Sequence, residues 1–343
     1  MIPGLSYGVG VRSRRLPTRT AAAAAGGLGV ASAGLLAVLA AEAKFAYAAV
    51  HAVELQPPPN ATGWYGRGRP GQPIKVALLG DSSAAGYGLD AVEETPGALL
   101  AGGISEQAGR PVRLDEIAVV GALSADLDLQ VDRALALRSD VAVILIGAND
   151  VVRLKRPSTS VRHLARAVTR LREGGIEVVV GTCPDLGTIQ PILPPLRQLA
   201  RAWSRRVAAE QTLHTIRAGG RTLSLADILG AEFRAQPGFF FGPDRFHPSA
   251  PGYAALAAVL VPSALAALGL VGDEEAEPET VRGRVVLPIA AAALRAVNQQ
   301  GTELDPTEMP PRRFGVRGLW VTLRRRRRRT VHHEAPTRDA VGD

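Results

Sequence analysis

One cysteine, Cys183, stands among 343 residues. No intramolecular disulfide can form, and the redox state of the compartment is left open. Aromatic residues make up only 4% of the chain, so the run Phe239-Phe240-Phe241 stands out against a sparse background. No internal repeat is present, which excludes solenoids and propellers. No His/Cys/Asp cluster has metal-ligand spacing, so no metal is expected. The glycine-rich run Gly80 to Gly88 lacks a lysine and the G-x-x-x-x-G-K-[ST] pattern, and Gly86-x-Gly88 lacks the third glycine of a dinucleotide fingerprint. No nucleotide or other cofactor is expected.

The core of the chain also lacks an excess of positive charge. The net charge of +8 is carried by the ends: residues 1–20 hold four arginines and no acid, and residues 280–343 hold thirteen arginines against six acids. Residues 21–279 hold 23 basic and 26 acidic side chains. A phosphate-backbone footprint needs a basic stripe on the folded part, so no specific nucleic-acid partner is expected. Arg324 to Arg329, six in succession, read as a solvated tail able to cling to anionic surfaces such as lipid headgroups or cell-wall polymers.

At 46% hydrophobic content the chain can bury one full α/β domain and leave its ends outside. Strand-like runs lie at Ile74 to Leu79, Val112 to Val119, Val141 to Ile146, Ile176 to Val180 and Thr222 to Leu225. Helical patterns fall between them, and a last one covers Ser249 to Leu268. Apolar strands separated by helices predict a parallel sheet covered on both faces.

Ser82 follows the first of these strands directly, inside a glycine-rich turn. A serine at that hand-over has its hydroxyl exposed at the rim of the sheet, where ligands bind, and is a candidate nucleophile. A hydroxyl attacks an ester carbonyl at neutral pH only if it loses its proton as it attacks. It therefore needs a base whose second nitrogen is held by a carboxylate. Of six histidines, His51, His332 and His333 lie outside the expected domain, and His163 and His214 lie in arginine-rich helical segments. His247 lies in a loop three residues after Asp244, which supplies both groups; its plain alternative is a loop or capping histidine.

Together, Gly80-Asp81-Ser82-Ser83, Gly121, Gly147-Ala148-Asn149-Asp150 and Asp244-Arg245-Phe246-His247 resemble the four blocks of the GDSL or SGNH hydrolase family, in the family's order over roughly residues 74–268. One departure is Ser83, where the family's name has leucine. The resemblance implies a flavodoxin-like three-layer α/β/α sandwich with a five-stranded parallel sheet. It also implies an oxyanion hole made of the backbone N–H of Ser82, the backbone N–H of Gly121 and the side-chain amide of Asn149. Gly121 and Asn149 each follow a strand, as Ser82 does; singly, they read equally well as a turn glycine and a capping asparagine. Asp81 and Asp150 are expected to tie loops together by accepting backbone N–H bonds.

The function expected is a serine esterase or lipase working through an acyl-serine, on a small-molecule, lipid or acylated-glycan ester. Two alternatives stand: acyl transfer to a sugar hydroxyl, and a membrane-tethered binding module without catalysis. At least one of Phe239, Phe240 and Phe241 is expected to line an acyl pocket or, equally, to pack in the core. Pro184 to Pro195 is expected at the active-site rim.

Residues 1–20 form a basic segment, and 21–43 a transmembrane anchor or signal peptide: Ala21 to Ala41 carries no charge over twenty-one residues. Ala41-Glu42-Ala43 has the form of a signal-peptidase site. Either fate puts the catalytic domain outside the cytoplasmic membrane, anchored or secreted. Residues 52–73 read as a Pro/Gly-rich linker, 74–272 as the hydrolase domain, and 273–343 as a largely disordered, Arg-rich tail.

Overall fold

A computed structural model describes residues 18–271, 285–298, 302–306 and 320–325. The chain opens on a long helix α1 (Thr18–Val50) and a short strand β1 (Gly63–Tyr65). Next come β2 (Ile74–Gly80), the one-turn helix α2 (Ser82–Ala85), α3 (Pro96–Ala108), β3 (Val112–Glu116), α4 (Leu127–Leu137), β4 (Val141–Leu145), α5 (Ala148–Val152) and α6 (Pro157–Glu173). They are followed by β5 (Glu177–Gly181), α7 (Leu196–Arg217), β6 (Arg221–Leu223), α8 (Leu225–Ala235), α9 (Pro237–Phe240) and α10 (Ala250–Ala267). The last elements are β7 (Val285–Pro288), α11 (Ile289–Ala296), β8 (Thr302–Pro306) and β9 (Trp320–Arg325).

The five expected strands form the parallel centre of the sheet, in the order β3-β2-β4-β5-β6. Strands covered on both faces need continuous apolar sequence, and β4 (VAVIL) is buried at every position. Side chains of alternate residues go to opposite faces. Val76, Leu78, Val141 and Val143 pack with Leu100 and Ile104 of α3 and Leu260 and Leu265 of α10. Ala77, Leu79, Ala142 and Ile144 pack with Leu127 and Val131 of α4 and Leu164 and Val168 of α6. The result is a three-layer sandwich of the flavodoxin-like type.

The strand count departs from the expected five: among the described residues the sheet is mixed and has nine strands. On one edge β1 runs antiparallel to β3. It comes from the segment read as a linker, whose buried Ala61 donates its N–H to Glu116 Oε2 at 3.0 Å, while Thr62 Oγ1 accepts the N–H of Glu116 at 3.0 Å. On the other edge β8, β9 and β7 extend the sheet antiparallel from β6. They come from the segment read as a disordered tail, and a salt bridge explains the difference. Glu303 of β8 is buried and accepts from Arg221 Nη1 of β6 at 2.6 Å and from Ser263 Oγ of α10 at 2.8 Å. The basic segment 1–17, the acidic stretch 273–279 and Arg326 to Arg329 lie outside the described residues.

Candidate active site

Chain order and strand order disagree at the centre of the sheet: β2 leads out to β3, and β4 returns to the other side of β2. In open α/β sheets the crevice at such a switch point, beyond the carboxyl ends of the strands, receives ligands. Ser82 follows β2, Gly121 lies beyond β3 and Asn149 follows β4. Three adjacent strand ends therefore bring to one rim the three residues that the sequence separates by up to 67 positions.

Two buried glutamines fix those strand ends. Gln130 of α4 accepts the N–H of Gly80 at 2.7 Å and donates back to its carbonyl at 3.0 Å. Gln211 of α7 does the same between neighbouring strands, accepting from Cys183 N at 2.7 Å and donating to Ile146 O at 2.9 Å. Each pairs two backbone groups at the strand ends, although Gly80 O also accepts the N–H of Val119 at 3.1 Å. Gly80 has φ +136°, and a Cβ there would lie 1.9 Å from the carbonyl oxygen of Leu145, so only glycine permits this closeness of β2 and β4.

Asp81 caps α2 by accepting the N–H of Ser83 at 2.9 Å, and Gly86 ends that turn with φ 72°. Tyr253 of α10 is buried and donates from its hydroxyl to Tyr87 O at 3.1 Å, anchoring the loop's far side. Ser82, 7% exposed, is thus held from both ends.

The loop bearing Asp244 and His247 is closed by its own backbone, with Gly242 N bonded to His247 O at 2.8 Å and Arg245 N to Gly242 O at 2.9 Å. Arg245 has φ 56°, a left-handed conformation that costs a non-glycine residue roughly 1–2 kcal/mol. The turn brings Asp244 under His247: Oδ1 accepts the N–H groups of Phe246 and His247, each at 3.0 Å. Oδ2 lies 2.6 Å from His247 Nδ1, and His247 Nε2 lies 3.0 Å from Ser82 Oγ. Tyr87 and Phe246 each meet the imidazole in a T-shaped contact, with ring centroids 4.8 Å away in each case.

Asp244 is 2% exposed, and its burial would raise its carboxyl pKa. Hydrogen bonds from the His247 ring and the two backbone N–H groups outweigh that and hold it below the usual range, so it remains ionised. Asp81 goes the other way. Burial pushes it up to about 6, against the hydrogen bonds from Ser83, and its Oδ2 has no protein partner. Burial, with Asp81, Asp150 and Asp185 nearby, also raises the Cys183 thiol well above its ordinary value.

The N–H groups of Ser82 and Gly121 have no acceptor among the described residues. Gly121 has φ 81°, and Asn149 donates one amide N–H to Ala122 O at 3.1 Å, which ties the β4 end to the β3 loop and leaves the second amide N–H over. Asp150 accepts the N–H of Ser124 at 3.0 Å, the Ser124 hydroxyl at 2.8 Å and the Ser160 hydroxyl at 2.6 Å.

A family model for GDSL-like lipases and acylhydrolases matches residues 78–255. The chain belongs to that family. This GDSL-like hydrolase acts on ester bonds, as its family does. It is 44% identical over 216 residues to a GDSL-like esterase of Mycobacterium tuberculosis, an alignment covering 59% of this chain and 68% of the relative. Among solved structures it is similar to LAE5, an alpha/beta hydrolase enzyme from the metagenome of Lake Arreo, Spain, at 20% identity and a TM-score of 0.46, covering 58% of this chain and 97% of that one. It is similar also to a lipase/acylhydrolase from Enterococcus faecalis, at 24% identity and a TM-score of 0.40, covering 55% and 93%.

The structure brings all five sequence-predicted residues of the GDSL-like hydrolase to one rim. The phenylalanine run divides: Phe240 and Phe241 pack on the buried Phe233, and Phe239 is exposed. Of the stretch Pro184 to Pro195, Pro184 lines a small cavity of about 30 Å³ with Asp81, Ser83 and Leu145. Leu55, from the expected linker, lies over Gly88, where a Cβ would be 3.6 Å from Leu55 Cδ1 and 3.7 Å from His247 Cβ. Gln130, Gln211 and Tyr253 escaped sequence reasoning as positioning groups. All three lie on helices, where a hydrogen-bonding side chain in the sequence gives no signal of the face it occupies.

Proposed function

We propose that this enzyme cleaves carboxylic esters through an acyl-serine intermediate. Ser82 Oγ attacks the carbonyl carbon as His247 Nε2 takes its proton, and the same imidazolium then protonates the leaving alkoxide. Water attacks the acyl-serine by the same relay run once more, releasing the acid and restoring Ser82. Asp244 fixes the tautomer and stabilises the imidazolium. The oxyanion is held by Ser82 N–H, Gly121 N–H and the Asn149 amide, donors of a kind that contribute roughly 3–4 kcal/mol each.

The observation that carries the reading is the continuous chain of contacts, Asp244 Oδ2 to His247 Nδ1 at 2.6 Å and His247 Nε2 to Ser82 Oγ at 3.0 Å. Turnover of a chromogenic short-chain ester tests it. Ser82→Ala should lose hydrolysis by at least about a thousandfold; wild-type turnover in that variant would reject the nucleophile.

Membrane attachment through α1 belongs to the same proposal. Helix α1 runs unbroken through Ala41-Glu42-Ala43, its portion Ala21 to Ala41 carries no charge, and Glu42 just beyond that run accepts the N–H of Leu196 of the domain at 2.9 Å. This arrangement supports an anchor, with the hydrolase domain on the extracytoplasmic side. Extraction of membranes with alkaline carbonate should leave the full chain in the pellet; release to the supernatant would reject the anchor.

A further inference from the structure

A rim of unpaired positive charge lies beside Gly121. An ideal Cβ at Gly121 would sit 3.7 Å from Arg153 Nη2, which puts the guanidinium directly against the glycine whose N–H faces the reaction centre in the proposed mechanism. Arg153 follows α5 and is fixed by a bond from its N–H to Asn149 O at 2.9 Å, so the backbone that carries Asn149 also positions Arg153. The next residue, Leu154, has φ 50°, which turns the chain sharply there.

Among the described residues the side chains of Arg153, Lys155 and Arg156 make no ion pair or hydrogen bond. Asp150, three residues before Arg153, is buried on Ser124 and Ser160, and Asp126, five residues after Gly121, turns back to accept the Leu123 N–H at 2.7 Å. Val119 and Val120, which precede Gly121, and Val152 and Leu154, which flank Arg153, are exposed. An uncompensated guanidinium at the mouth of a site, with apolar side chains beside it, suits a ligand whose negative group sits next to a hydrocarbon portion.

We propose that Arg153 is a specificity-determining residue that binds a carboxylate or phosphate carried by the ester, so that the preferred substrates are anionic. The inference rests on the esterase reading and adds the charge of its substrate. The negative group can come from either part of the ester: a carboxylate ending the acyl chain, or a phosphate on the alcohol.

The test compares kcat/KM for matched pairs on the full chain. One arm sets p-nitrophenyl hemisuccinate against p-nitrophenyl butyrate, and the other sets acetyl glycerol phosphate against acetylglycerol. Wild type should favour the anionic ester in one arm, which identifies the source of the charge. Arg153→Gln should reduce that preference by about tenfold, chiefly through KM, and Arg153→Lys should keep part of it. Added salt should erode the preference, because the guanidinium is exposed. Arg162→Gln, at an exposed arginine of α6, serves as the control for a general field effect and should leave the ratio as in wild type. Absence of preference in both arms, an unchanged ratio in Arg153→Gln, or an equal fall in Arg162→Gln would each overturn the proposal. Failure of wild type to hydrolyse any of the four esters would instead remove the esterase reading, and this inference with it.

Discussion

Two aspartates near the same serine are driven in opposite directions, and hydrogen bonding decides which way. Asp244 has three donors for its two oxygens and stays ionised; Asp81 is bonded by Ser83 alone and has one bare oxygen, and burial wins. The signs of the linked stability differ accordingly. The depressed pKa of Asp244 contributes stability that is present above the unfolded value of 3.8 and is lost as pH falls through the folded value. Asp81, raised from 3.8 to about 6, does the reverse, because the native state holds a proton that the unfolded chain has already released. Stability should therefore decline between those two pH values on account of Asp81 and stay lower above them. Asp81→Asn keeps an acceptor for Ser83 N–H and removes the ionisation. Urea unfolding from pH 4 to pH 8 should show the variant gaining on wild type as pH rises; a constant difference would show that Asp81 titrates normally. At Asp244, replacement by Asn puts a donor or the wrong tautomer at His247 Nδ1, and kcat should fall by about 10³–10⁴ with the fold retained, measured by ester turnover and far-ultraviolet circular dichroism.

At the scale of elements, what positions the site is a set of amide and hydroxyl bonds between helices and strand ends. Gln130 and Gln211 each clamp two backbone groups in a region closed to water. Gln211→Leu leaves Cys183 N–H and Ile146 O unpaired, at about 1–3 kcal/mol for each buried group. The melting temperature should fall and kcat with it, since Asn149 is three residues beyond Ile146; unaltered melting would contradict the clamp. Much of this level was legible beforehand. The five central strands were visible because strands covered on both faces need unbroken runs such as Val141 to Leu145. The residues now proposed for catalysis were visible because each follows one of those runs or sits in the Asp244–His247 loop. The glutamines were not, because a single polar residue in a helical pattern reads as solvated whichever face it occupies.

Over the whole molecule, the segment that follows α10 extends the sheet, so it is joined to the domain by more than its chain connection. Its composition, rich in arginine, proline and glycine, gave no periodicity by which β8 and β9 could be recognised, and the decisive partner of Glu303 lies 82 residues earlier, at Arg221. Long-range pairing of this kind leaves no local trace in sequence. Arg221, 13% exposed at its side chain, is paired with both Glu303 and Asp305, and Glu303 is fully buried. Glu303→Ala removes the shorter of these two contacts and takes the acceptor from Ser263, a loss of about 1–3 kcal/mol, so the melting temperature should drop by several degrees; a shift within error would show that β8 does not hold to β6. Cys183 gives a label-free probe of the same integrity. Buried and with its thiol pKa raised, it should ignore a disulfide reagent at neutral pH and react fully once the chain unfolds.

The most direct test of the central claim, that Asp244, His247 and Ser82 form one relay ending in a nucleophilic hydroxyl, is peptide mass spectrometry after treatment with an organophosphonate. The account predicts a single adduct on Ser82, greatly slowed in His247→Ala and absent in Ser82→Ala. An adduct on Ser83 or elsewhere, or a Ser82 adduct that forms as fast without His247, would contradict it.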